Sequence, residues 1–237
     1  MELVEKLKKF FRKSGKQNAV VGISGGVDSA LTLWLCVQAL GQKSVYAYFL
    51  PYVEKSDDAQ QTRLFAQSLG VHFEAASIQP AADALMKSTH AVDPVDQGNI
   101  MARTRMNFLY SKARQHNALV VGTGNKSELA VGYFTKYGDG GVDVLPIGSL
   151  YKTQVWQTAN DVGIPKYFID KPPSAGLWPD QTDEHELEMT YHELDGILQL
   201  LDTKPNEAIQ RFGNKKVGNV LDRMKNNRHK MELPPVL

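Results

Sequence analysis

Residues 20–35 read V-V-G-I-S-G-G-V-D-S-A-L-T-L-W-L, and this stretch decides the fold. An apolar segment passes through Ser24-Gly25-Gly26-Val27-Asp28-Ser29 directly into a second apolar segment, which predicts a strand, a tight loop and a helix. Adjacent glycines let backbone N–H groups point at one spot, and the start of the helix adds partial positive charge there. The sequence therefore predicts an anion-binding loop, to which Ser24 and Ser29 add hydroxyl donors.

Two common phosphate-binding patterns do not fit this loop. The Walker A pattern needs a Lys after the glycines, and none follows here. The dinucleotide fingerprint G-x-G-x-x-G cannot be laid over G-I-S-G-G-V. Asp28 then has two interpretations. It is either an Mg²⁺ ligand that bridges to bound phosphates, or an ordinary first-turn carboxylate that complements the helix dipole.

The rest of the chain alternates between strand and helix patterns. Strands are predicted at 19–23, 44–50, 71–75 and 118–122, with helices at about 2–13, 28–40, 57–69, 80–88, 99–116 and 152–162. This alternation is typical of a doubly wound parallel sheet with helices on both faces. Gly41 and Gly70 fall just past two helix ends, where a left-handed residue is easiest to accommodate. Residues 132–150 are predicted to form a long loop, which is either a cover over a ligand or an inert connection.

Composition excludes several classes of protein. With 27 Lys and Arg against 26 Asp and Glu, the net charge is far from that of a generic nucleic-acid binder. The longest apolar stretch, 30–40, is well short of the ~20 residues that a membrane span requires. One cysteine excludes an internal disulfide and a Cys-rich zinc site. We expect a cytoplasmic protein without a membrane span.

Charge is distributed unevenly near the C-terminus. Residues 180–195 carry seven acidic side chains and no Lys or Arg, whereas residues 204–230 carry eight Lys and Arg and two acidic side chains. The first segment is predicted to be a packed helix with a solvated acidic face. We expect one domain over 1–237, made of an α/β core to about residue 170 and a helical, basic extension over 171–237.

A second loop, G-T-G-N-K-S-E at 122–128, follows the fourth predicted strand. In a sheet of order 3-2-1-4 the first and fourth strands are neighbours, and helices leaving them on opposite faces would open a crevice at their C-terminal ends. Glu128 could then share one Mg²⁺ with Asp28. The alternative is that Glu128 is a first-turn helix residue without a ligand role.

The order strand, S-G-G-x-D-S, helix resembles the PP-loop of the ATP pyrophosphatase superfamily, whose fold is like that of the adenine nucleotide alpha hydrolases. Further matches are more specific. The segments that resemble NAD synthetases are the string from G-T-G-N-K-S-E to G-S-L-Y-K at 122–152, G-N-I-M-A-R-T-R-M at 98–106, K-P-P-S-A-G-L-W-P-D-Q-T-D-E at 171–184 and R-H-K at 228–230. They span most of the chain in the family's order.

The resemblance implies site residues at matching positions. ATP binding is implied for Gly22, Ile23, Ser24, Gly25, Gly26, Val27, Asp28, Ser29, Thr123, Lys152 and Ser174. Deamido-NAD binding is implied for Arg103, Lys136, Asp143, His229 and Lys230. Mg²⁺ binding is implied for Asp28 and Glu128, and catalytic roles for Asp28, Lys152 and Asp139. Taken without the resemblance, each Arg could equally be a solvated surface residue, and the basic tail could be solvated charge.

The resemblance also implies a reaction. Deamido-NAD would be amidated by ammonia at the expense of ATP, through an acyl adenylate, to give NAD, AMP and pyrophosphate, and the enzyme would be a homodimer. Free ammonia is the expected nitrogen source because the only thiol, Cys36, lies within an apolar helix pattern. The alternatives are another PP-loop enzyme, such as a tRNA-modifying ligase or a thiouridine-type sulfurtransferase, and a non-catalytic nucleotide-binding module.

Overall fold

A parallel sheet forms the centre of the computed structural model, which describes residues 2–53, 56–178, 181–232 and 235–236. Its strands are β1 (Asn18–Gly22), β2 (Val45–Phe49), β3 (His72–Ala75) and β4 (Ala118–Val121). Their order across the sheet is β3-β2-β1-β4, with every neighbouring pair parallel. The predicted strand order and direction are confirmed, and β1 lies between β2 and β4.

Helices follow the strands at close to the predicted positions. In the described part of the chain they are α1 (Glu2–Ser14), α2 (Val27–Leu40), α3 (Ser56–Ser68), α4 (Gln79–Thr89), α5 (Pro94–Gln115), α6 (Lys126–Val131), α7 (Lys152–Asp161), α8 (Lys166–Asp170), α9 (Asp183–Leu187), α10 (Tyr191–Leu201), α11 (Pro205–Phe212) and α12 (Asn214–Asn227). Short 3₁₀ turns occupy Gln42–Ser44 and Arg228–Lys230. Gly41 and Gly70 have φ of 82° and 67°, so both positions need the conformational freedom of glycine.

The two faces of the sheet are covered by different helices. Ala19 and Val21 point to the face covered by α1, α2, α3, α7 and α8, whereas Val20 points to the face covered by α4 and α5. This alternation is the period of two of a β-strand. Helices on both faces are therefore confirmed. Within the described ranges, the helices are too short or too polar to cross a bilayer.

Helix α6, which follows β4, differs from the expectation for its position. It packs against α7, α10 and α12, and its Val131 joins a third apolar cluster made mainly by α10, α11 and α12. The expectation that the helices after β1 and β4 lie on opposite faces was therefore wrong. A helix of six residues is too short to cover the sheet and instead begins the connection to the C-terminal helices.

The acidic segment is also different from the prediction. It forms two helices, α9 and α10, separated at Glu188, whose φ of 58° ends the first helix. Asp183 and Asp195 are only 4% and 1% exposed, so the acidic face is not fully solvated. The charge pattern could not show this, because most of the groups that bind these two carboxylates, those of Tyr133, Ser127 and Thr153, come from other segments.

Residues 132–150 form the predicted long loop. One point of this loop joins the sheet, where Val144 pairs with Val121 at the end of β4. The N–H of Gly122 donates to the carbonyl of Val144 at 2.8 Å. The long loop is thereby fixed beside the second glycine-containing loop.

Candidate active site

The S-G-G-V-D-S loop is held in shape by its own hydroxyl groups. The Ser29 hydroxyl donates to the carbonyl of Gly26 at 2.9 Å and accepts from the N–H of Ser24 at 3.1 Å. Gly25 has a φ of +87°, a conformation that residues with a Cβ rarely adopt. Because the loop runs from β1 into α2, the free N–H groups of the first helical turn lie at the C-terminal edge of the sheet, which is a suitable place for an anion.

Three charged side chains from three separate elements meet beside this loop. Asp28 comes from the first turn of α2, Glu128 from the first turn of α6, and Lys152 begins α7. The Lys152 ammonium pairs with the Asp28 carboxylate and lies 3.8 Å from Oε1 of Glu128. The structure thus brings together the two predicted metal ligands and the predicted catalytic lysine.

Asn125 connects the two carboxylates. Its side-chain Nδ2 donates to Oδ1 of Asp28 at 2.9 Å. Its Oδ1 also accepts from the N–H of Glu128 at 3.0 Å, and the Glu128 carboxylate accepts from the N–H of Asn125 at 3.1 Å. This capping box fixes Glu128 at the start of α6, while the same amide orients Asp28.

Burial differs within the cluster. The Lys152 side chain is 3% exposed, whereas those of Asp28 and Glu128 are 16% and 17% exposed. The two carboxylates are therefore more accessible than the ammonium.

Burial also perturbs the titration of the cluster. Desolvation, reinforced by the charge of Asp28, raises the pKa of Glu128 to about 8. For Lys152, burial alone would lower the pKa, but the carboxylates of Asp28 and Glu128 outweigh it and the pKa is raised. The lysine therefore remains an ammonium at neutral pH.

A wall of hydrogen-bonded side chains from the C-terminal helices closes one side of the cluster. The ring of Tyr191 lies 5.1 Å from the Lys152 ammonium, and its hydroxyl donates to Oδ2 of Asp183 at 2.9 Å. Tyr133, from the long loop, donates to the other oxygen of Asp183 at 3.2 Å. Burial raises the pKa of Asp183. The cluster is therefore enclosed by side chains that follow residue 130.

Asp195 links the two helices that carry Glu128 and Lys152. It accepts a hydrogen bond from the hydroxyl of Ser127, and its second oxygen accepts from the N–H and the hydroxyl of Thr153 at 2.9 and 2.7 Å. The Ser127 hydroxyl in turn accepts from the N–H of Lys152 at 2.9 Å. One buried carboxylate thus fixes the starts of both α6 and α7.

Most of the predicted deamido-NAD residues form a second group. Arg103 donates to the carbonyl of Lys136 at 3.2 Å, and the Lys136 ammonium donates to the carbonyl of His229. Lys230 donates to the carbonyls of Gly132 and Phe134 at 2.7 and 3.0 Å. The long loop and the basic tail are therefore in contact, and the tail is not simply solvated charge.

The other predicted residues lie at different places. Asp139 accepts from the N–H of Thr135 at 2.9 Å, and its charge acts on Lys230 and Arg105, which places it with this second group. Asp143 accepts from the N–H of Val120 at 2.7 Å and from the Tyr110 hydroxyl at 3.2 Å, along the outer edge of β4.

Thr123 and Ser174, predicted to bind ATP, lie in two different loops. Thr123 is half-buried directly after β4, and the Ser174 hydroxyl donates to the carbonyl of Gln181 at 2.6 Å. Of the two arginines in α5, Arg105 turns inward and donates to the carbonyl of Leu50 at 2.9 Å, and burial lowers its pKa. Arg103, in contrast, is exposed.

Sequence reasoning missed several residues of the site. Asn125 had a readable signal, because N-x-x-E before a helix is a capping-box pattern. Asp183 and Asp195 had none, since both lie in a segment whose composition indicates solvated charge. Their burial depends on Tyr133, Ser127 and Thr153, which are far away in the chain.

Comparison with known proteins agrees with this geometry. The family model described as NAD synthase matches residues 1–234. The chain belongs to the NAD synthase family. A relative from Archaeoglobus fulgidus, named NH(3)-dependent NAD(+) synthetase, is 44% identical over 241 residues, which cover 99% of this chain and 96% of that protein.

Solved structures of the family have the same fold. The structure of NMN synthetase from Francisella tularensis superposes with a TM-score of 0.90 at 36% identity, covering 100% of this chain and 95% of that one. The NH3-dependent NAD synthetase from Campylobacter jejuni, solved with a nitrate ion, gives a TM-score of 0.86 at 30% identity, covering 100% and 96%. These family matches do not favour a tRNA-modifying enzyme or a passive nucleotide-binding module.

Proposed function

We propose that this chain is an ammonia-dependent ligase that amidates deamido-NAD with the energy of ATP and so makes NAD. One observation carries the proposal: in a chain of the NAD synthase family, Asp28, Glu128 and Lys152 converge on the start of α2, at the end of a glycine-rich loop. Such a cluster suits a bound triphosphate, because a carboxylate beside phosphates needs a cation between them.

The chemistry follows from the poor reactivity of a carboxylate toward ammonia. A carboxylate oxygen of the nicotinate attacks the α-phosphorus of ATP, and the bond from that phosphorus to the bridging oxygen breaks, with its electron pair leaving on pyrophosphate. Ammonia then attacks the acyl carbon of the adenylate, AMP leaves, and the nitrogen loses a proton. Backbone donors of residues 24–29 and the Lys152 ammonium stabilise the charge that develops on the phosphates.

The residues present fit a magnesium ion. The Lys152 ammonium already lies at a point where Asp28 and Glu128 both attract a cation, and hard carboxylate oxygens are the ligands that Mg²⁺ prefers. Two protein carboxylates leave coordination positions for phosphate oxygens and water. When bound, the ion would neutralise phosphate charge. Asn125 would orient the Asp28 carboxylate toward it.

Arg103, Lys136, His229 and Lys230 are proposed to bind the acid substrate, with Asp139 supporting Lys230. Contact between the long loop and the tail supports this assignment, since both segments would have to close around one ligand. Asp143 is proposed to act from the outer edge of β4, and Thr123 and Ser174 to bind ATP.

Nitrogen from free ammonia is supported by the environment of the thiol. Cys36 is fully buried in α2, and burial raises its pKa, so it cannot serve as the nucleophile of a glutamine amidase. The test is amide formation with ammonium or glutamine as the nitrogen source. Efficient use of glutamine by this chain alone would contradict the proposal.

A second substrate is favoured by one comparison. The superposition with an NMN synthetase has a TM-score of 0.90. An enzyme that makes NMN by amidation would act on nicotinate mononucleotide, the corresponding acid. The deciding experiment measures kcat/KM for deamido-NAD and for nicotinate mononucleotide, together with one AMP and one pyrophosphate per amide. A higher value for deamido-NAD supports our proposal, and a higher value for the mononucleotide supports the alternative.

We further propose a single domain over 1–237, acting as a homodimer in the cytoplasm. Trp156 packs against both the core cluster and the cluster of the C-terminal helices, which supports one continuous domain. Sedimentation of the purified protein tests the dimer.

A further inference from the structure

A second cation besides Lys152 lies close to the glycine-rich loop. Lys171 directly follows α8 and pairs with the buried carboxylate of Asp58, near the start of α3. The hydroxyl of Tyr167 donates to the same oxygen of Asp58 at 2.7 Å. The carboxylate is thus held from two sides, while the Lys171 side chain remains 32% exposed.

This ion pair is in close contact with the loop itself. A Cβ at Gly25 would lie 2.9 Å from Oδ1 of Asp58 and 3.4 Å from Nζ of Lys171. The absence of a side chain at Gly25 is therefore what lets the pair approach the loop backbone. A carboxylate in this position would repel a phosphate, so the ammonium beside it determines whether an anion is tolerated there.

The charge balance shows why the loop needs this ammonium. Residues 22–29 contain no Lys or Arg, and the charge of Lys152 is already balanced by its ion-pair partner Asp28. A triphosphate adds further negative charge on the loop side. Lys171 has three N–H donors, and Asp58 occupies one of them, which leaves donors for phosphate oxygens.

We propose that Lys171 binds the pyrophosphate half of ATP and stabilises it as it leaves, with Asp58 and Tyr167 as positioning residues. The assignment rests on the proposed function for the identity of the anion. As the bond between the α-phosphorus and the bridging oxygen breaks, the electron pair stays on pyrophosphate, and the Lys171 ammonium donates hydrogen bonds to that growing charge. Lys152 remains with the α-phosphate.

The experiment uses magnesium pyrophosphate as the probe on the full chain. Calorimetric titration of Lys171→Gln is expected to show a Kd for pyrophosphate raised about tenfold or more, since a lost charge-assisted hydrogen bond costs at least that factor. The inhibition constant for AMP should stay unchanged. Lys166→Gln, which removes the same charge from an exposed position on α8, is the matched control and should leave both values unchanged.

Two further variants separate binding from structure. Lys171→Arg keeps the positive charge and should retain most of the pyrophosphate affinity. Asp58→Asn is expected to weaken pyrophosphate binding, because the ammonium loses its anchor; tighter binding would show that Asp58 only repels phosphate and would overturn its positioning role. An unchanged Kd in Lys171→Gln, or equal weakening of AMP and pyrophosphate, would overturn the assignment.

The titration also distinguishes this assignment from the proposed function. Suppose that the wild-type chain forms no amide from deamido-NAD but Lys171→Gln still binds pyrophosphate more weakly than the wild type. The proposed reaction is then wrong, and the assignment of Lys171 to an anion site stands. If the wild type forms NAD and the variant binds pyrophosphate normally, the reaction stands and the role of Lys171 fails.

Discussion

Asp195 accepts a hydrogen bond from the hydroxyl of Ser127, and both side chains are buried. Sixty-eight residues separate the two in the chain. Through Ser127 and Thr153 this carboxylate sets the relative position of α6 and α7, and therefore of Glu128 and Lys152. The spacing of the charges at the candidate active site thus depends on a residue of the C-terminal extension.

Replacing Asp195 by Ala should damage both stability and turnover. Three donors lose their acceptor in a buried place, so we expect the free energy of unfolding to fall by about 3 kcal/mol. Misplacement of Lys152 should lower kcat by about tenfold to a hundredfold. Urea unfolding and steady-state kinetics measure the two effects. Asp195→Asn, which keeps acceptor capacity, is the conservative control. A folded Asp195→Ala variant with normal kcat would contradict the positioning role.

Asn125 is expected to control metal use through its hydrogen bond to Asp28. Asn125→Ala should raise the Mg²⁺ concentration for half-maximal activity by about tenfold, the effect typical of losing a group that orients a ligand. It should also cost about 1 kcal/mol through the lost helix cap. Asn125→Ser keeps a capping hydroxyl but loses the donor to Asp28. The serine variant should therefore show the metal effect with little loss of stability. If it shows normal Mg²⁺ dependence, the orienting role is wrong.

Asp28→Asn and Lys152→Met test the centre of the cluster. Lys152→Met removes the buried cation that pairs with Asp28, and we expect kcat to fall by about a hundredfold or more. Asp28→Asn should chiefly raise the requirement for Mg²⁺. Rates measured across a series of Mg²⁺ concentrations separate the two. Full activity of both variants would remove the basis of the proposed function.

Gly25→Ala should weaken ATP binding through crowding as well as strain. The positive φ at this position disfavours a Cβ by about 1–2 kcal/mol, and the new methyl group would displace the Asp58 carboxylate. Gly163→Ala is the matched control, because Gly163 has a φ of +77° and open space around it. Both variants should lose stability in thermal unfolding, and Gly25→Ala should lose more because its methyl group also displaces the Asp58 carboxylate. Only Gly25→Ala should raise the KM for ATP, and equal KM values would contradict the close approach.

The buried thiol of Cys36 gives a pH-dependent prediction. Because burial raises its pKa, the native protein keeps the proton at a pH where an unfolded thiol ionises, above about 8.5. The free energy of unfolding should therefore fall with rising pH above that value, and Cys36→Ala should lack this component. Urea unfolding between neutral and alkaline pH measures it. Rapid labelling of the native thiol at pH 8 would contradict its burial.

Local patterns predicted much of this architecture. Apolar strands between amphipathic segments predicted a doubly wound parallel sheet, and the order 3-2-1-4 came from that class of fold. Paired glycines after β1 predicted the loop at the start of α2. The approach of Glu128 to Asp28 followed from the adjacency of β1 and β4. The wrong expectation for α6 arose because the rule of opposite faces applies to helices long enough to cover a sheet, and α6 ends at Val131.

The local sequence did not predict which charged side chains are buried. Asp183 lies in an acidic segment that indicated a solvated face, yet Tyr133 and Tyr191 bind its carboxylate away from water. Nothing within residues 180–195 distinguishes Asp183 or Asp195 from its exposed neighbours, such as Glu188 and Glu193. Apart from Tyr191, the hydrogen-bond partners that stabilise these buried carboxylates come from other segments, at Tyr133, Ser127 and Thr153.

The sequence by itself determined the chemistry that is available: a loop of glycines and hydroxyls after an apolar strand, acidic residues in two loops, and a single thiol in an apolar helix. These features depend on neighbours a few residues apart, whose geometry is fixed by backbone preferences. Only the tertiary structure decided which charges meet. Lys152 joins Asp28 across 124 residues and Lys171 joins Asp58 across 113. Electrostatic pairing acts through space, so its partners are set by how the helices pack.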